Sequence, residues 1–148
     1  MDERTYGLTA EEYKRAEACL KLACQLGLIR EAGFGALEQR RQEKNRQNEE
    51  NQEQGRIFYG PHTYSPAAYL QFELTRFRLD FVQPAPKIRA AGYGKPVPQK
   101  EKRKFYKRNQ DLFTRYAGDV FPYEEVEDVI EKRIREEQYE QLVQNLLC

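Results

Sequence analysis

Val97-Pro98-Gln99-Lys100-Glu101-Lys102-Arg103-Lys104-Phe105-Tyr106-Lys107-Arg108-Asn109-Gln110-Asp111-Leu112-Phe113 is followed, after the seven residues Thr114 to Val120, by Phe121-Pro122-Tyr123-Glu124-Glu125-Val126-Glu127-Asp128-Val129-Ile130. The first stretch reads as a short amphipathic helix that ends in an aromatic. The second opens a long closing helix, on which Val126, Ile130, Ile134, Leu142, Val143 and Leu146 recur at helical spacing. Glu131 stands four residues from Arg135, the spacing of an ion pair along a helix. Seven residues between the two stretches are too few for a separate domain.

Working toward the N-terminus, Ser65-Pro66 is a helix start, with Ser as N-cap and Pro in the first turn. The helix beyond it, about Ala67 to Val82, carries Tyr69, Leu70, Phe72, Leu74, Phe77, Leu79 and Phe81 nearly all round. It is expected to be central and buried, ended by Pro84 and Pro86. The stretch 84–98, rich in Pro and Gly, is expected to be a loop. Thr9-Ala10-Glu11-Glu12 is a capping box, and Tyr13, Ala16, Leu20, Ala23 and Cys24 follow at helical spacing before Gly27 stops that helix. A further helix opens near Gly33 to Leu37. From Glu38 to Arg56 no residue is apolar, so this arm is disordered, a solvated helix reaching between subunits, or a helix whose polar face lines a groove. The expected fold is all-α: about five helices in one domain over 1–148, the N- and C-terminal helices packing around the central one, with at most a scrap of strand near Phe58.

The order of these elements, and the two quoted stretches, resemble the helical chaperone part of SurA-like and PrsA-like parvulin foldases. Val97, Glu101, Phe105, Tyr106, Asn109 and Phe113 stand at places matching the family's first flanking stretch. Pro122, Tyr123, Glu125, Val126 and Ile130 match the opening of its last helix. The resemblance implies a foldase-like chaperone module without the isomerase domain that normally lies between them, and hence without isomerase activity. It departs from the family in lacking an export signal, so the expected compartment is the cytoplasm, or an extracytoplasmic one if a signal has been removed.

Composition narrows the function classes. Net charge is +1, so no whole-molecule field favours nucleic acid or an anionic membrane. No apolar run reaches the length of a membrane helix. The three cysteines, Cys19, Cys24 and Cys148, lack zinc spacing and read as free thiols. The single histidine, His62, sits in a Gly-Pro turn without a catalytic partner, and no Gly-rich phosphate loop, metal cluster or cofactor motif is present. An enzyme is therefore not expected, nor a metal or cofactor. Interleaved Lys, Arg, Phe105 and Tyr106 could track nucleic acid, but the acidic Glu124 to Asp128 offsets that charge. Ten Tyr and eight Phe suit adaptable burial of a client's apolar side chains. Phe58, Tyr59, Tyr64, Tyr69 and Phe72 are the candidate contacts for an unfolded or extended peptide. The rival expectation is a structural helical subunit whose groove is filled by a second copy, as a homodimer of interlocked helices.

Overall fold

A computed structural model describes residues 3–55, 63–115 and 118–147. Among them the chain is all-α, with helices α1 (Glu3–Tyr6), α2 (Ala10–Gln25), α3 (Phe34–Glu53), α4 (Pro66–Val82), α5 (Pro86–Ala90), α6 (Gln99–Arg108) and α7 (Tyr123–Leu147), and a 3-10 turn at Gln110–Phe113. The five long helices are the five read from the sequence; α1 and α5 are short additions. Pairing of strand type is confined, among the described residues, to a single bridge between Thr114 and Val120. Phe58, where a strand was expected, lies outside the described residues.

The chain forms two compact units: one holds the described residues up to Phe77 together with those from Val143 onward, the other Arg78–Leu142. In the first, the capping box forms as the sequence dictates. Glu12 N–H donates to Thr9 Oγ1 at 3.2 Å, and Thr9 N–H donates to Glu12 Oε1 at 3.1 Å. At the other end of α2, Gly27 takes φ +78° and Leu28 N–H reaches back to the Ala23 carbonyl at 2.9 Å, which satisfies an orphan carbonyl. Leu20, Leu37, Leu70 and Val143 are fully buried in this unit. The carboxyl end of α7 thus returns to the unit that holds α2. Phe34, at the start of α3, lies 4.6 Å from Tyr13 in a stacked pair and 5.1 Å from Tyr6. Cys19 is buried, and the half-buried Cys24 thiol donates to the Arg30 carbonyl at 3.4 Å.

The arm at 38–56 is helical as far as Glu53. Its turns are laced by Arg41–Glu38 and by Arg46 with Glu43 and Glu50, and Asn48 is buried. On α4, the expectation of burial all round holds for one stripe only. Tyr69, Leu70, Glu73 and Phe77 are buried, while Phe72 and Leu79 are exposed at 39% and 45%. The buried stripe contains a carboxylate, and the opposite side of an apolar helix meets water.

In the second unit the expectation of a plain loop at 84–98 is corrected by α5. Pro86 occupies its first turn, where a missing N–H costs nothing, and Ile88 is buried to 0% exposure and anchors the turn. Gly94 has φ +77°, and a Cβ there would stand 2.5 Å from Pro84 Cβ, so only glycine fits. Arg135 of α7 binds this region: its guanidinium donates to the Val82 carbonyl at 3.5 Å, to the Lys95 carbonyl at 3.4 Å and to Glu131 at 3.0 Å. Glu131 also accepts from Val97 N–H at 3.2 Å. Phe105, Phe113, Tyr123, Val126 and Ile130 form one buried cluster, with Tyr106, Phe121 and Ile134 packed against it. Between α6 and α7, Thr114 and Val120 pair as an antiparallel bridge, and Phe121 N–H donates to the Phe113 carbonyl at 2.7 Å.

Candidate functional site: an aromatic cluster beside a polar-walled cleft

Of the five candidate contacts, Tyr64, Tyr69 and Phe72 come together in the first unit, and Phe58 and Tyr59 lie outside the described residues. Tyr64 packs 5.6 Å from Tyr69 and 5.3 Å from Phe72, and Tyr69 and Phe72 are 5.8 Å apart. Tyr64 and Tyr69 are buried at 8% and 6% exposure, so Phe72 is the face of the cluster that meets solvent.

The polar helix α3 fixes this cluster through side chains that sequence reading did not select. Tyr64 N–H donates to Asn45 Oδ1 at 2.7 Å, and the Tyr64 carbonyl accepts from Asn45 Nδ2 at 3.1 Å and from Arg41 Nη1 at 2.9 Å. One amide side chain therefore satisfies both polar groups of a buried backbone unit, in place of a ladder partner. Arg40 grips Glu73 of α4 with two parallel bonds of 2.9 Å and donates to the Glu31 carbonyl at 3.2 Å. The one available signal was Glu73 itself, a lone carboxylate among the aromatic and aliphatic residues of the first two turns of α4. Nothing local in the sequence names Arg40 as its partner.

Beside the cluster lies a cleft of about 630 Å³, on the same unit. Leu28, Ile29, Ala36 and Tyr69 give it an apolar floor, and Gln39, Arg40, Lys44 and Gln47 of α3 form a polar wall. Such a cleft can bury alternate apolar side chains of an extended chain while amides and charges meet its backbone. Burial, and next the Glu73 carboxylate, push the Tyr69 hydroxyl well above the ordinary tyrosine value; burial, and next Glu38, raise Tyr6. Because both folded values exceed the unfolded one, this stabilisation is intact below about pH 10 and is lost as pH rises further. A spectrophotometric tyrosine titration is expected to show these hydroxyls ionising after the exposed ones, together with unfolding. Ionisation of all tyrosines in one early step, with the helix signal retained, would contradict the placement of Tyr6 and Tyr69.

Among the described residues, no helix is long and apolar enough to cross a membrane, and no three His, Cys, Asp or Glu side chains are grouped as for a metal. Comparison with family models gives no match, and comparison with curated proteins gives none either. Two solved structures are similar. Against the native crystal structure of the GH136 lacto-N-biosidase from Eubacterium ramulus the TM-score is 0.70 at 26% identity, over 90% of this chain and 27% of that chain. Against the selenomethionine derivative of the same enzyme the TM-score is 0.69 at 25% identity, with the same coverage. The chain thus spans about a quarter of the length of the enzyme it matches.

Proposed function

We propose that this chain is a non-catalytic, chaperone-like or scaffold module that holds an extended polypeptide segment in the cleft beside Tyr69. The observation that carries the reading is the pairing of an apolar floor, Leu28, Ile29, Ala36 and Tyr69, with the fixed polar wall of α3. The foldase-like order of helices supports the same role. So does the match to about a quarter of a much longer glycoside hydrolase chain, in which this fold accompanies a larger remainder. The client we infer is therefore the catalytic part of a hydrolase of that kind, folded or held by the module.

The test is an array of overlapping peptides covering the part of the Eubacterium ramulus enzyme outside the matched region, probed with the 148-residue protein. Peptides with apolar residues at alternate positions are expected to bind, and Ile29→Glu or Lys44→Glu to weaken that binding with the helix content unchanged. No retained peptide, or equal retention by both variants, would overturn the assignment.

A further inference from the structure

Helix α6 carries six cations and one carboxylate in ten residues. Two of the cations are used internally: Lys102 pairs with Glu127 at 2.7 Å, and the Arg103 guanidinium lies 4.3 Å from the Tyr123 ring centroid. The other four, Lys100, Lys104, Lys107 and Arg108, are exposed and form no ion pair among the described residues. Their spacing of i, i+4, i+7 and i+8 puts them on one face, a basic stripe of roughly 12 Å at the helical rise. Beneath it opens a cleft of about 190 Å³, where Phe105 and Ile134 supply an apolar floor flanked by Lys104 and Arg108.

We propose that this face docks an acidic polypeptide segment bearing one large apolar side chain, whose carboxylates meet the stripe and whose apolar residue enters the cleft over Phe105 and Ile134. Charge complementarity selects the anion, and the floor selects its apolar anchor. Nucleic acid fits the same stripe poorly. Every nucleotide carries a phosphate and would bring it against Glu101 and Glu137 at the cleft, whereas the segment places its one uncharged apolar residue there. Stacking needs a free aromatic ring, yet Phe105 is buried. Tyr106 packs against Phe113 and Tyr123, and its hydroxyl donates to the Phe121 carbonyl at 2.5 Å. The surface lies wholly on the second unit and does not depend on the cleft beside Tyr69.

Fluorescence anisotropy of the 148-residue protein with a labelled glutamate-rich peptide carrying one central leucine tests this. Binding that weakens with added salt is expected, falling roughly tenfold or more in the K104E/R108E double variant. A peptide with glycine in place of leucine should bind several-fold more weakly. The K100E/K107E variant, which leaves the cleft lining intact, should lower affinity but keep the preference for leucine. All these side chains are exposed, so circular dichroism should show unchanged helix content. The proposal is overturned if the peptide does not bind, if charge reversal or loss of leucine leaves its affinity unchanged, or if single-stranded DNA of equal charge binds more tightly.

Discussion

Arg40→Ala should destabilise the protein by about 3 kcal/mol, the range for stranding one member of a buried ion pair. Glu73 is 6% exposed, and its two carboxylate oxygens take both of their 2.9 Å bonds from Arg40. Without the guanidinium, a carboxylate stays in the buried stripe of α4 beside the Tyr69 ring. The Arg40 side chain is 25% exposed, so water reaches the site in part and the loss falls at the lower end of that range. Arg40→Lys should recover only part of it, because an ammonium cannot match the two parallel bonds. Replacing both residues by leucine should restore most of the stability, since the cost lies in the unpaired charge rather than in the pair's net worth. Urea unfolding followed by helix dichroism measures all three. Equal losses in the single and double variants would show that the pair acts through packing alone.

That pair also marks the limit of what was legible in the sequence. The helices were readable wherever the information was local. Thr9 and Glu12 form their box, Ser65 Oγ accepts from Ala68 N–H at 3.1 Å, and Gly27 closes α2. Reading failed where the deciding partner is remote. Arg40 and Glu73 are 33 residues apart, and Asn45 and Tyr64 are 19 apart, so a run without apolar residues gave no sign of which polar side chains would be buried. Composition misled in the opposite sense at α5. There, Pro and Gly suggested a loop, but one fully buried Ile88 on a Pro-started turn suffices to fix a helix. Tyr64, Tyr69 and Phe72 do pack together, but nothing in the sequence marks which of the rings meets solvent. Period alone cannot say which side of an apolar helix a neighbour will cover, and it is Phe72, not Tyr64 or Tyr69, that faces water.

Phe105→Ala should cost about 3–5 kcal/mol, the range for truncating a buried phenylalanine to alanine. Phe105 is 2% exposed and meets Phe113 edge-on at 6.3 Å, in a cluster with Tyr123, Val126 and Ile130. These residues belong to the two quoted stretches, α6 with the following turn and the start of α7. Helix α6 is only ten residues long and its solvent face is a row of like charges, which repel one another. A helix that short is marginal in isolation, so the apolar contact at Phe105 must hold it in place. Truncation should therefore loosen the bridge between Thr114 and Val120 as well, because Phe121 N–H reaches the carbonyl of Phe113 and Tyr106 donates to the carbonyl of Phe121. Amide exchange is expected to accelerate across 99–113 and at Phe121 in the variant, while the amides of α2 keep their protection. Phe105→Leu, which keeps most of the buried volume, should cost less than half as much. If the alanine variant unfolds at the same urea concentration as the parent, the aromatic cluster is not the anchor of α6.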